Sequence, residues 1–167
     1  SKPSYSPFPR TEHSKGNGTI EILEFSDFQC PACGAAFPEV KSFIEKNPDK
    51  ANFVYKHFHL SQHVYAFKAA EDSECAADQG KFWEYHDKLF ENQRNLLKAD
   101  LVKYATSIGL DMEKFNACLD SGVMASRINS DVADANNKGV RVTPTFFIDG
   151  KKFEGVLTAG QLEKEVG

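Results

Sequence analysis

The run Glu24-Phe25-Ser26-Asp27-Phe28-Gln29-Cys30-Pro31-Ala32-Cys33 constrains this chain more than any other stretch. Up to Ser26 the apolar side chains alternate as on a buried strand, and after Cys33 they recur at helical spacing. Two cysteines two residues apart therefore stand at a strand-to-helix junction. Cys30 falls at the helix N-terminus, where unpaired N–H groups and the positive end of the helix dipole favour an anion. The thiolate is the reactive form of cysteine, and this environment lowers its pKa. Pro31 suits the first helical turn, where its missing N–H costs nothing. Cys33, one turn further in, can reach back to close a disulfide and should be the deeper of the two. The residues alone propose a redox pair with an attacking and a resolving member. A structural zinc site would need four ligands, usually as two close pairs, and the sequence has no second C-x-x-C.

The rest of the composition narrows the setting. A chain of 167 residues, 41% hydrophobic and 26% charged, can bury one real core. Its net charge of −4 comes with no basic block, which argues against nucleic acid and anionic membrane as partners. No apolar run reaches the length of a membrane span. The sequence has neither an initiator Met nor a signal-peptide pattern, so it is read as a mature or trimmed form.

Residues 1–17 carry Pro3, Pro7, Pro9 and Gly16-Asn17-Gly18 without periodicity, and are expected to form a flexible tail, the stump of a tether. Thr19 to Ser26 reads as a strand, Cys33 to Lys46 as a helix that Pro38 should kink or weaken, and Ala51 to Leu60 as a second strand. That order is a parallel βαβ unit. From about Val64 to Lys138 the pattern is helical, broken at Gln79-Gly80, Gly109 and Ser121-Gly122. Trp83, Phe82 and Phe90 on one such helix read as core. Thr145 to Ile148, the Asp149-Gly150 turn and Lys152 to Val156 read as a hairpin, and Thr158 to Val166 as a closing helix capped by Thr158 and Gln161. The expected fold class is α/β: a βαβ unit over 18–62 and a ββα unit over 139–167 form one domain, interrupted by an all-helical insertion over 63–138.

These residues resemble the DsbA-like branch of the thioredoxin fold. The resemblance rests on Cys30-Pro31-Ala32-Cys33 after a strand, Thr143-Pro144-Thr145 before the hairpin, and the helical insertion between them. The run Cys75-Ala76-Ala77-Asp78-Gln79-Gly80-Lys81-Phe82-Trp83, with His86-Asp87, is similar to DsbA-related proteins of bacterial envelopes. The match extends over everything from Thr19 onward. It implies that Pro144 is cis and beside the dithiol, and that the Thr143 backbone pairs with an extended peptide in a groove past Phe28, Pro31, Ala32 and Pro144. It also implies that Glu24, on the strand beneath, is a buried acid that moves protons for Cys33. Cys75 and Cys118 read either as two buried thiols or as a bridge, and the resemblance to envelope proteins favours the bridge. The sequence departs from the strongest oxidant of the family at Ala32, where that protein has His, and at Thr143, where it has Val.

The function implied is a thiol:disulfide oxidoreductase acting on unfolded or extended cysteine-containing proteins. Its expected setting is extracytoplasmic, in a bacterial periplasm or cell envelope. A membrane quinone-linked oxidase is the expected partner, no cofactor is needed, and the molecule is expected to be a monomer, because 18 N-terminal residues cannot build a dimerisation domain. A reductase or isomerase is the runner-up. A peptide-binding chaperone module with an incidental dithiol is a further reading. A glutathione-transferase relative is disfavoured by Cys30, because that group typically has Ser there. His57, His59 and His63 tempt a metal reading through their alternate spacing, but no carboxylates match it, and no metal is expected. His86 beside Asp87 is read as a structural hydrogen-bonder.

Overall fold

The computed structural model describes residues 4–167. Five strands form one sheet in the order β1-β3-β2-β4-β5. Strand β2 (Ile20–Ser26) is central, parallel to β3 (Ala51–His57) on one side and antiparallel to β4 (Thr145–Ile148) on the other. Strand β5 (Lys151–Glu154) closes the hairpin after β4, and its turn places Asp149 and Gly150 at positive φ, 46° and 86°. Helix α1 (Pro31–Lys46) crosses from β2 to β3 and runs unbroken through Pro38. Helix α7 (Ala159–Val166) ends the chain with a capping box of Thr158 and Gln161.

Alternation along β2 decides what lies under the dithiol. Leu23 and Phe25 face one way and pack with Val54, Ala135 and Val140. Ile22 faces the other, into the larger core with Cys33, Val40 and Phe43 of α1. Glu24 and Ser26 share the Ile22 face by strand period. That places a carboxylate, 4% exposed, in the core behind the active cysteines.

Between β3 and β4 stand five helices: α2 (Ala66–Ala77), α3 (Phe82–Glu91), α4 (Lys98–Ser107), α5 (Met112–Ser121) and α6 (Ala125–Asn137). Gly122 ends α5 in the left-handed conformation that only glycine adopts freely. Cys75 of α2 is bonded to Cys118 of α5, a closure of 43 residues.

The expectation of a flexible tail over 1–17 is corrected for residues 4–17; residues 1–3 lie outside those described. His13–Lys15 form β1, an antiparallel edge strand on β3. Ahead of it, the Tyr5 hydroxyl and the Phe8 N–H donate to Asp78, and the Arg10 guanidinium grips Asp131 with two bonds of 2.8 and 2.7 Å. Ion pairs and single hydrogen bonds to distant helices hold this segment, and such contacts leave no periodic trace. Strand β3 also stops at His57 rather than Leu60, because the Leu60 N–H is taken by the Asp27 carboxylate at 2.8 Å.

Candidate active site

The loop between β2 and α1 is built on Asp27. One carboxylate oxygen accepts the N–H groups of Gln29 and Cys30, at 2.7 and 3.0 Å. The other accepts Leu60 N–H and meets His63 Nδ1, each at 2.8 Å. An aspartate bonding to backbone two and three residues ahead is a local turn device, and here it sets the entry angle of α1. Cys30 is the N-cap residue and Pro31 the first helical residue. From the insertion, the Gln93 side-chain amide donates to the carbonyls of Phe28 and Cys30, at 3.1 and 2.6 Å.

Both thiols are free, Cys30 at 6% exposure and Cys33 at 0%. The Cys30 thiol lies 3.6 Å from the carbonyl oxygen of Thr143, and the Thr143–Pro144 peptide bond is cis. A hydrogen bond from Cys33 pulls the Cys30 pKa down. Burial opposes this, while Thr143 and the N–H groups of Cys33 and Ala32 assist it. Burial pushes the Cys33 thiol far up, and the neighbouring Cys30 and Glu24 push it further. Glu24 is itself raised to about 8 by burial, with Ser26 pulling weakly the other way and Cys30 adding to the rise. The site therefore separates its two sulfurs chemically: Cys30 favours the thiolate, Cys33 the thiol, and behind them stands an acid raised to about 8.

The structure brings Cys30, Cys33, Glu24, Thr143 and Pro144 together. Pro31 and Ala32 occupy the outer turn, and Pro31 lines an open groove of about 510 Å³ with Gly34, Tyr65, Gln93 and Leu96. Phe28 is the exception. It is 1% exposed, its ring stacked on Tyr55 at 5.5 Å and tilted against Phe90 at 5.0 Å, so it is core beneath the loop and not part of a groove. Its apolar bulk, between two residues whose polar atoms serve the loop, drives it inward.

The three histidines considered for a metal do not converge. His57 meets Glu74 at 2.8 Å, His59 packs on Phe67, and His63 meets Asp27. The ligand atoms that do come within 4.8 Å of one another are those of His13, His57 and Glu74. There one Glu74 oxygen is shared by both rings at 2.6 and 2.8 Å, and Arg127 lies 3.3 Å from the other. The two imidazoles pull Glu74 well below the usual carboxylate range against its burial. With a guanidinium already on the carboxylate, the cluster reads as a hydrogen-bonded latch between β1, β3 and α2.

Sequence reasoning passed over Asp27 and Gln93. Asp27 was legible in principle, as an aspartate three residues before an N-cap. Gln93 carries no local signal, because its partners are backbone atoms 65 and 63 residues away.

Comparison with known proteins agrees with this geometry. A thioredoxin-like oxidoreductase from Silicibacter pomeroyi superposes with a TM-score of 0.84 at 25% identity, over 93% of this chain and 90% of that one. DsbA2 of Pseudomonas aeruginosa gives 0.76 at 25% identity, over 95% and 94%. A family model described as thioredoxin (Thioredoxin_4) matches residues 15–166. The chain belongs to the thioredoxin family, in its DsbA-like branch. Among curated relatives of this DsbA-like protein, the Na(+)/H(+) antiporter NhaA 3 of Salinispora tropica is 39% identical over 150 residues, 88% of this chain and 23% of that protein. NhaA 1 of Salinispora arenicola gives the same figures. The DsbA-like chain thus spans about a quarter of the length of the curated relatives it matches, and among its described residues no helix is long and apolar enough to cross a membrane.

Proposed function

We propose that this protein is a thiol:disulfide oxidoreductase that introduces disulfides into unfolded or extended proteins outside the cytoplasm. The observation that carries the reading is the placement of the two sulfurs, Cys30 at the N-terminus of α1 beside the Thr143 carbonyl and Cys33 sealed one turn deeper, which pulls Cys30 toward thiolate and Cys33 toward thiol. In the oxidised enzyme, a substrate thiolate attacks Cys30 Sγ, the Cys30–Cys33 bond breaks, and its electron pair goes to Cys33, which takes a proton. A second substrate thiolate then attacks the substrate sulfur of the mixed disulfide. The substrate disulfide forms, and Cys30 leaves as a thiolate. A stable Cys30 thiolate is a good leaving group and favours the reduced enzyme, which is the property of an oxidant. Thr143, Pro144, Pro31 and Ala32 frame the substrate. Re-oxidation is assigned to a quinone-linked membrane oxidase, with the protein acting as a monomer. The antiporter relatives, of which the chain spans 23%, favour a setting in which such a module stands tethered beside a membrane protein.

Two measurements test this. The equilibrium with glutathione should place the Cys30–Cys33 couple between those of a thioredoxin and the strongest envelope oxidant, about −270 and about −120 mV. A value at the thioredoxin end would favour a reductase. Cys33→Ala should accumulate mixed disulfides through Cys30, because nothing remains to release them, and Cys30→Ala should trap nothing. The reverse pattern would exchange their roles.

A further inference from the structure

Every turnover of such an enzyme puts a proton on Cys33 or takes one off, and neither Cys33 nor Glu24 meets bulk water. A cavity lies against both. It holds about 40 Å³ and is lined by Cys33, Glu24 and His86 on its inner side, with Lys41 and Asp87 where it nears the surface. At about 15 Å³ per water, that is room for about two or three molecules in a chain.

His86 is built into the wall of this cavity with unusual care for a residue of no evident task. Its Nδ1 meets Asp87 at 2.9 Å, and the other Asp87 oxygen meets Lys41 Nζ of α1 at 2.9 Å. The ring is caged by Tyr55 of β3 at 4.9 Å and by Trp83 and Phe90 at 5.0 Å. His13 and Lys15 of β1 face it, and Glu45 lies across the cavity on α1.

We propose that His86, held by Asp87 and Lys41, is the outer relay through which protons pass between solvent and the Glu24–Cys33 pair. The proposal rests on the thiol-exchange reading above. When a substrate thiolate attacks Cys30, Cys33 departs with the bonding electrons and takes the Glu24 proton, and Glu24 is reprotonated through the water chain. In the opposite direction the Cys33 thiol gives its proton to Glu24 as its sulfur attacks Cys30 Sγ of the mixed disulfide, the Cys30–substrate bond breaks, the substrate leaves as a thiolate, and the proton departs by the same route. His86 accepts from cavity water at Nε2 and gives from Nδ1 toward Asp87, whose carboxylate is 19% exposed. Burial pulls the His86 pKa down to about 4, so the resting ring is neutral and free to accept. His86 is a positioning residue, since it touches neither sulfur.

The test is His86→Phe, which keeps an aromatic ring in an aromatic cage and cannot carry a proton. The reduced protein is mixed with glutathione disulfide, quenched with acid, and the Cys30–glutathione mixed disulfide is followed by mass. In His86→Phe the Cys33 step should slow at least tenfold and the mixed disulfide accumulate. The equilibrium constant with glutathione should stay within twofold of the parent. In His86→Ala, added imidazole should restore the rate where a bulky buffer at the same pH does not. Should His86→Phe fail to fold, Asp87→Asn leaves the ring in place and should slow the same step with an enlarged solvent isotope effect. An unchanged rate in these variants, or a rate that falls only in step with the equilibrium constant, overturns the relay. A parent protein that does not exchange with glutathione at all overturns the underlying reading instead.

Discussion

Glu24 shows most plainly how one residue carries both fold and function. It occupies an apolar position of the strand period, facing α1, and the core around it raises its carboxyl to about 8. The folded protein therefore keeps a proton that the unfolded chain gives up above the ordinary carboxylate range. The Glu24 contribution to stability should decline as pH rises from that range toward about 8 and then level off; Asp72, raised to about 7 by burial, adds to the decline, and in the reduced protein Cys30, lowered to about 5, contributes the opposite slope. Glu24→Gln should remove the Glu24 share alone, so that its stability relative to the parent grows by on the order of 3 to 5 kcal/mol between about pH 5 and about pH 8.5, as read from urea unfolding. The same change should slow the Cys33 step by roughly 10- to 100-fold. A difference between variant and parent that does not change with pH would place Glu24 in contact with solvent. Cys30 and Cys33 were legible because their meaning lies in spacing at one strand-to-helix junction, whereas the role of Glu24 came only from the family resemblance. Phe28 was misread as a groove residue because proximity in sequence to a reactive cysteine says nothing of the direction a side chain takes.

Gln93 and Gly34 show how two elements are fitted together. A Cβ on Gly34 of α1 would lie 2.2 Å from the Gln93 side-chain oxygen, so the glycine makes room for the amide that holds the Cys30 carbonyl. Gly34 has ordinary helical backbone, and alanine there gains about 1 kcal/mol of helix propensity. Gly34→Ala should therefore keep or raise the melting temperature while evicting Gln93. The rate of Cys30 alkylation should change about fivefold, the equivalent of one hydrogen bond. Gln93→Ala should produce the same change, and the double variant no more than either alone; multiplied effects would mean the two residues act separately. At this scale the sequence was readable wherever an element announces itself by periodicity or capping. Helix α7 with its Thr158–Gln161 box, the Asp149-Gly150 turn and the glycine stops of the insertion all stand where the pattern puts them. The segment 4–17 was misjudged because Arg10 and His13 secure it through partners in α6 and α2, more than sixty residues distant.

For the whole molecule periodicity gave the order βαβ, helical insertion, ββα, the resemblance gave that order its thioredoxin fold, and composition gave only its bounds. The insertion is closed onto itself by the Cys75–Cys118 bridge, in which both residues are 1% exposed. A loop of this length corresponds to about 4 kcal/mol in the chain-entropy account. Replacing both cysteines with alanine should lower unfolding stability by about that amount and leave the Cys30–Cys33 equilibrium with glutathione unchanged. A shift in that equilibrium would mean the bridge communicates with the dithiol. The depth of this bridge also has a consequence for the history of each molecule. Sulfurs sealed inside packed helices must be joined before the helices close, by an oxidant already present. A newborn chain therefore depends on an oxidant outside itself at the moment its insertion packs, and its maturation is tied to a place where one is present.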